Sequence, residues 1–194
     1  FVVLSFFGIS TSFLTNLSCL ATAVFAWAVM TVYSTRGKRT GLLGNLLVSI
    51  CVSLPFIYGA FALGGVLPSS SILFASMAFL SNTGREVVKG IVDVEGDKKE
   101  GIKTIAVSYG SRAAAFVAVA LNSAAVLLSF LPIFWNIVSF WYIPLIFISD
   151  LGFVVSSLWL LRDYGRENAR KVKNLYLLWM GLGLTGFLVG SLKS

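Results

Sequence analysis

Apolar segments long enough to cross a lipid bilayer follow one another along almost the whole chain of 194 residues. The hydrocarbon core of a bilayer is about 30 Å thick, so a spanning helix needs roughly 20 apolar residues. Hydrophobic residues make up 57% of the sequence and charged residues only 12%. A soluble domain of this size cannot bury so much apolar surface. The sequence therefore predicts an all-α, polytopic transmembrane helical bundle that forms a single domain over residues 1–194.

Polar and glycine-rich breaks divide the apolar sequence into seven predicted helical spans. Examples of such breaks are Asn16, the pair Gly64-Gly65 and Pro132. The chain begins with Phe1 instead of Met, and we expect further residues upstream of it in the natural protein. The predicted spans are 1–15, 17–35, 42–64, 70–94, 111–133, 139–161 and 173–192.

The Lys and Arg residues are concentrated in alternate connections between the predicted spans. If these connections share one side of the membrane, that side receives 14 of the 15 basic residues and only Lys193 falls on the other. Basic residues favour the cytoplasmic side of a membrane protein. We therefore predict a multi-pass protein of the cell membrane whose charged connections are cytoplasmic. The net charge of +7 follows from this bias and does not indicate nucleic-acid binding.

Side chains that bind zinc or haem are scarce in this sequence. The chain contains no His, and its two cysteines, Cys19 and Cys51, both lie within apolar runs. Cysteines in such runs are usually small buried residues. Zinc and haem sites are therefore disfavoured.

The stretch REVVKGIVDVEGDKKEGIKT, residues 85–104, is unusually charged and is called the acidic stretch below. It holds five of the eight acidic residues of the chain. Acidic residues contribute little to membrane orientation, so the bias that explains the basic residues does not explain these. One interpretation is a solvated helix end stabilised by ion pairs between residues three or four apart.

The spacing of the acidic residues favours a second interpretation, a cation site. If the fourth helix continues through the stretch, Glu86, Gly90, Asp93 and Asp97 lie on one face. The two aspartates are then one turn apart, and their carboxylates repel each other unless a cation lies between them. Carboxylates alone suit a hard cation such as Mg²⁺, which often shares its shell with substrate phosphates. Neighbouring Lys and Arg side chains suit phosphate oxygens.

The acidic stretch resembles the second aspartate-rich motif of the UbiA superfamily of intramembrane prenyltransferases. That motif is a D-x-x-x-D pattern followed by a G-x-x-T/S segment, and here it stands as DVEGD, residues 93–97, and GIKTIAV, residues 101–107. YSTRGKRTGLLGNLLVS, residues 33–49, resembles the Y-S-x-x-x-K-R segment that joins the fourth and fifth helices of the family. Within the superfamily the match is best to the archaeal digeranylgeranylglyceryl phosphate synthase branch. The chain has Gly90 and Val92 where that branch commonly has Asp and Glu.

The resemblance implies a nine-helix fold of which the seven predicted spans are helices three to nine. Two N-terminal helices of the domain are then missing from the chain. The family's first aspartate-rich motif, of the type N-D-x-x-D-x-x-x-D, has no match in residues 1–194. We expect that motif upstream of Phe1.

The resemblance also implies an activity. It is the Mg²⁺-dependent transfer of an isoprenyl group, geranylgeranyl in this branch, from its diphosphate to a lipid-soluble acceptor such as geranylgeranylglyceryl phosphate. An aromatic acceptor of the quinone or chlorophyll type is the alternative. An ion-coupled transporter or channel is the alternative from another class, but its acids are expected near mid-membrane and not at one interface.

The resemblance assigns roles to particular residues of the motifs. Asp93 and Asp97 are the predicted catalytic metal ligands, with Glu86 as a third candidate ligand. Tyr33 and Ser34 are predicted to lie near the reacting centre. The predicted substrate-binding residues are polar or basic and comprise Lys38, Arg39, Asn45, Arg85, Lys89 and Lys103.

Two features lie outside these motifs. Asp150 is inside the sixth predicted span, where a carboxylate is costly. We interpret it either as a helix-packing hydrogen bond or as a residue that lines a cavity. Gly186 and Gly190 have the GxxxG spacing that predicts a close helix contact.

Overall fold

The structure is a computed structural model that describes residues 2–192. Lys193, the basic residue predicted apart from the others, lies outside the described residues. Within residues 2–192 the regular elements are helical, and a 3₁₀ turn at Gly37–Arg39 separates the second helix from the third. The helices are α1 (Val2–Thr15), α2 (Leu17–Thr35), α3 (Leu42–Gly64), α4 (Ser69–Val92), α5 (Val94–Lys99), α6 (Ile105–Leu128), α7 (Leu131–Phe134), α8 (Tyr142–Arg162) and α9 (Arg166–Ser191).

Within the described residues, each of the seven predicted spans contains a helix, and the predicted all-α membrane bundle is confirmed. The predicted number of spans is not. Within the described residues, five helical segments are long and apolar enough to cross a membrane, namely α2, α3, α6 with α7, α8 and α9. Helix α1 is apolar but shorter, and α4 carries too many polar residues to qualify.

Two helices begin earlier than the sequence predicted. Helix α6 begins at Ile105 and not at 111, and α9 begins at Arg166 and not at 173. Hydropathy detects the membrane-embedded part of a helix, whereas both helices extend beyond it into charged residues. The backbone of α6 leaves the helical region at Gly110, where φ is 86°, close to the predicted start.

Helix α4 lies at the centre of the bundle, where it packs against α3, α6 and α9. Its fully buried polar side chains have hydrogen-bond partners. Asn82 Nδ2 donates to Ser49 Oγ at 3.0 Å, and Thr83 Oγ1 donates to the carbonyl of Phe79 at 2.7 Å. Buried polar groups are tolerated when they are hydrogen-bonded. A helix too polar to face lipid is therefore stable here, and it carries the acidic stretch to one end of the bundle.

Close contacts and hydrogen bonds hold the helices that follow. A Cβ atom on Gly190 would lie 2.7 Å from Cβ of Tyr142, and one on Gly186 would lie 3.2 Å from Cβ of Leu145. The predicted close helix contact at the GxxxG spacing is thus confirmed between α8 and α9. Asp150 accepts a hydrogen bond from Ser129 Oγ at 2.6 Å, which joins α8 to the end of α6 as the packing interpretation expects.

The three basic connections meet at one end of the bundle, called the charged end below. The α2–α3 connection and the acidic stretch line one cleft there. Arg166 at the start of α9 places Nη1 3.9 Å from Glu95 Oε2 in the acidic stretch. These contacts agree with the predicted grouping of basic residues, and the side of the membrane on which they lie stays a prediction.

Candidate active site

A small polar cleft opens at the charged end, between the α2–α3 connection and the acidic stretch. Its volume is about 100 Å³. Seven of its lining residues are polar or charged candidates from the sequence. The lining comprises Tyr33, Gly37, Lys38, Gly41, Gly44, Asn45, Glu86, Lys89, Gly90, Asp93, Asp97, Ile102 and Thr104.

Glycines allow the two walls of the cleft to approach each other closely. Gly41 has φ of 62°, a conformation that favours glycine. A Cβ atom there would overlap the backbone carbonyl of Lys103, which belongs to the opposite wall. On the same side, a Cβ on Gly44 would lie 2.5 Å from the carbonyl oxygen of Gly37. The α2–α3 connection therefore folds tightly on itself and against the segment before α6.

The opposite wall is a nearly continuous helix with a break at Asp93. Helix α4 ends at Val92, Asp93 has φ of −99° and ψ of 8°, and α5 follows. The Asp97 amide still donates to the Asp93 carbonyl at 2.9 Å, as in a helix. The predicted helix through residue 94 is thus interrupted, but Glu86, Gly90, Asp93 and Asp97 face one cleft, as their spacing predicted.

The carboxylates of Asp93 and Asp97 have no ion-pair partner within residues 2–192. Asp93 is exposed and Asp97 is half-buried. Burial, and next to it the charge of Asp93, raises the pKa of the Asp97 carboxyl. Two neighbouring, unpaired carboxylates beside an open cleft fit a hard divalent cation. In the part of the chain that the structure describes, no group of three acidic or Cys side chains converges as a complete metal site.

Glu86 differs from the two aspartates because both of its oxygens are engaged by cations. Oε1 accepts from Arg85 Nη1 at 2.9 Å, and Oε2 accepts from Lys89 Nζ at 3.1 Å. Its exposed fraction is only 7%. The ion-pair interpretation of the acidic stretch therefore holds for Glu86 and does not hold for Asp93 and Asp97. This engagement disfavours Glu86 as a metal ligand.

Four of the predicted site residues do not line the cleft: Ser34, Arg39, Arg85 and Lys103. Consecutive helical residues point about 100° apart, so Ser34 faces away where Tyr33 faces the cleft. Ser34, Arg39 and Lys103 are exposed. Arg85 is held by its ion pair to Glu86.

The sequence assigned no role to five residues of the lining: Gly37, Gly41, Gly44, Ile102 and Thr104. Three of them leave a recognisable signal, namely Thr104, Gly41 and Gly44. Thr104 precedes a helical run, and its Oγ1 accepts from the Val107 amide at 3.3 Å as a helix N-cap. The glycines in RTGLLGN stand between basic residues and an apolar helix, where a tight turn is expected.

A second cavity is an apolar groove between α2 and α3, called the α2–α3 groove below. Its volume is about 350 Å³. It lies on the same helix pair as the cleft. Phe25 in the groove is eight residues before Tyr33 in the cleft, a separation of about 12 Å along a helix. The groove is lined by Ser18, Ala21, Thr22, Phe25, Leu54, Ile57 and Phe61.

The sequence matches one protein family over most of its length. The model described as the UbiA prenyltransferase family matches residues 1–181. Digeranylgeranylglyceryl phosphate synthase of Archaeoglobus fulgidus is 35% identical over 162 residues, which are 82% of this chain and 55% of that protein. The synthase of Methanosarcina mazei is 36% identical over 185 residues, 94% of this chain and 62% of that protein. The chain thus spans less than two thirds of the length of these two relatives.

Two solved structures share the arrangement of helices. One, reported for digeranylgeranylglyceryl phosphate synthase in membranes, superposes with a TM-score of 0.88 at 31% identity. The match covers 98% of this chain and 67% of that one. The other, an apo UbiA homolog from Aeropyrum pernix K1, gives a TM-score of 0.79 at 19% identity over 97% of this chain and 70% of that one. At that identity the second likeness concerns the fold alone.

Proposed function

Because the chain belongs to the UbiA prenyltransferase family, we propose that it transfers a geranylgeranyl group from its diphosphate to geranylgeranylglyceryl phosphate. The observation that carries this proposal is the cleft at the charged end. There, two unpaired carboxylates, Asp93 and Asp97, lie beside Lys38 and Lys89 at the mouth of an apolar helical bundle. This arrangement suits a substrate with an anionic head and an apolar tail. The family match argues against the ion-coupled transporter.

We assign some residues of the cleft to the diphosphate of the donor and others to the reacting end of the prenyl chain and the acceptor. Asp93 and Asp97 would hold Mg²⁺, which when bound neutralises diphosphate charge and makes diphosphate a better leaving group. Lys38 and Lys89 would bind diphosphate oxygens as point charges. Tyr33 and Asn45 lie on the facing wall and would orient the reacting end of the prenyl chain and the acceptor. Ligands beyond these two carboxylates would complete the shell of the cation.

The proposed reaction exchanges one carbon–oxygen bond for another. The bond between C1 of the prenyl chain and the diphosphate oxygen breaks with carbocation character. The acceptor hydroxyl oxygen attacks C1 to form an ether, and the hydroxyl proton is released. The apolar helices around the cleft would exclude water, which otherwise captures the cation.

Transfer can be tested directly with the intact protein in lipid nanodiscs. We expect labelled geranylgeranyl diphosphate and geranylgeranylglyceryl phosphate to yield the diether in the presence of Mg²⁺, and EDTA to abolish the product. A quinone precursor offered in place of the lipid is expected to give no product. Transfer to the aromatic acceptor alone would replace the proposed acceptor, and transfer to neither would contradict the proposed activity.

The α2–α3 groove is proposed to hold part of the prenyl tail, because it is apolar and lies on the same helix pair as the cleft. Ala21→Trp is expected to fill it and to lower kcat/KM for the geranylgeranyl donor about tenfold more than for a geranyl donor, since the shorter tail does not reach the groove. Ala28→Trp, on the same helix and outside the groove, is the matched control. An equal effect of Ala21→Trp on both donors would place the tail elsewhere.

A further inference from the structure

The metal and phosphate assignments do not explain why Glu86 is buried and paired with two basic side chains. It is the most buried carboxylate of the acidic stretch, yet both of its oxygens are engaged by cations. We infer that Glu86 is a positioning residue that holds Lys89 away from Asp93 and Asp97 and so preserves their charge for a cation. The inference rests on the proposed function, because it presumes that the two aspartates bind metal.

Lys89 has a choice of partners on its own helix. Residues three and four apart are neighbours on a helix surface, so Glu86 and Asp93 compete for the Lys89 ammonium. In the structure the ammonium lies 3.1 Å from Glu86 Oε2. It lies farther than 4.0 Å from every carboxylate oxygen of Asp93 and Asp97. The lysine has therefore paired with Glu86 and with neither aspartate of the proposed cation site.

The surroundings of Glu86 explain this choice. Its side chain is only 8% exposed, and Arg85 Nη1 holds the other oxygen at 2.9 Å. A buried carboxylate interacts more strongly with a cation than an exposed one does, because water screens it less. Asp93 is exposed and offers Lys89 a weaker partner. The Lys89 side chain is itself 45% exposed, so it remains free to turn if Glu86 loses its charge.

The expected consequence of removing that charge is competition at the cation site. Without Glu86, the carboxylate left within one helical turn of Lys89 is Asp93, four residues farther along the chain. An ammonium paired there repels a divalent cation and occupies an oxygen that the cation needs. The affinity for the cation therefore falls, although neither aspartate has changed. If Lys89 is removed together with Glu86, nothing competes and the affinity returns.

This double-variant rescue can be measured without catalysis. Mn²⁺ binding to the intact protein in nanodiscs would be titrated by the EPR signal of free Mn²⁺, with no substrate present. Glu86→Gln is expected to weaken binding by at least about tenfold, the size typical of a lost outer-shell partner. Lys89→Gln and the double variant Glu86→Gln/Lys89→Gln are expected to bind within about threefold of wild type. Glu95→Gln is the matched control, because Glu95 is a nearby acid whose side chain is 78% exposed and contacts only Arg166 among the ion pairs of residues 2–192.

Three outcomes overturn the inference. Unchanged affinity in Glu86→Gln means that Lys89 does not compete, and weak binding that persists in the double variant means that Glu86 is itself a ligand. If the wild-type protein binds no Mn²⁺, there is no cation affinity for Glu86 to preserve. If Glu86→Gln does not give a monodisperse protein, Glu86→Asp replaces it. Asp keeps the charge but reaches less far toward Lys89, so we expect a smaller weakening of Mn²⁺ binding. Unchanged affinity in Glu86→Asp would contradict the inference.

The same samples separate this inference from the proposed function. Prenyl transfer by wild-type protein, together with full Mn²⁺ affinity in Glu86→Gln, overturns the inference alone. If Mn²⁺ affinity and prenyl transfer are both unchanged in Asp93→Asn/Asp97→Asn, the proposed metal site is overturned, whatever the result for the Glu86 variants.

Discussion

Replacing Asp93 and Asp97 together with Asn is expected to lower the rate of prenyl transfer by a factor of about 10³ or more. Asn keeps the shape of the side chain but removes the charge that a hard cation requires. Because the two carboxylates share one face of the cleft and have no other ion-pair partner within residues 2–192, no neighbouring group is expected to replace them. The measurement is the initial rate of transfer at saturating donor over a series of Mg²⁺ concentrations.

The control for this variant lies between the two aspartates. Glu95→Gln removes one carboxylate charge from α5, but Glu95 is outside the cleft and pairs at 3.9 Å with Arg166. We expect it to retain nearly the full rate, since exposed ion pairs contribute little. If Asp93→Asn and Asp97→Asn each keep wild-type activity, the catalytic role of this motif is refuted.

Gly41→Ala is expected to lower the free energy of unfolding by about 3 kcal/mol or more and to impair donor binding. Its φ of 62° is strained for any residue with a side chain, and its Cβ would overlap the Lys103 carbonyl. That carbonyl belongs to the segment leading to Thr104 on the other wall of the cleft. The methyl group is therefore expected to push the two walls apart. Thermal unfolding in detergent and KM for the donor would measure both effects.

Gly65→Ala provides the comparison for Gly41→Ala. Gly65 ends the same helix α3 with φ of 66°, but nothing lies within 4 Å of the Cβ that it would gain. We expect about 1 kcal/mol of destabilisation from the backbone conformation alone, and an unchanged KM. Equal effects of the two substitutions on KM would show that the contact across the cleft does not shape the donor site.

The membrane bundle and the family could be predicted because both depend on local sequence. Hydropathy located every long helix, and the spacing of Asp93 and Asp97 placed both on one face even though the helix breaks between Val92 and Val94. The similarity to prenyltransferases, inferred from DVEGD and the Y-S-x-x-x-K-R segment, is confirmed by the family match and by the archaeal relatives. Helix ends were predicted less well, because charged residues continue α6 and α9 beyond the apolar part.

The partners of the charged side chains were not predictable from spacing. Glu86, Asp93 and Asp97 look alike in the sequence, and each has a basic residue within four positions. Only Glu86 is buried deeply enough between helices to hold Arg85 and Lys89, which leaves the aspartates free. Likewise, Tyr33 and Ser34 are adjacent in the motif, but the orientation of α2 turns only Tyr33 toward the cleft.

Residue order alone thus identifies an apolar chain that crosses the membrane repeatedly, gathers its charges at one end and carries an aspartate motif there. These properties follow from water exclusion and helical periodicity, which act on each segment by itself. The cleft depends instead on how segments far apart in the chain meet. Steric fit allows Gly41 to lie against Lys103, and burial makes Glu86, not Asp93, the partner of Lys89. Both steric fit and burial are properties of the packed bundle.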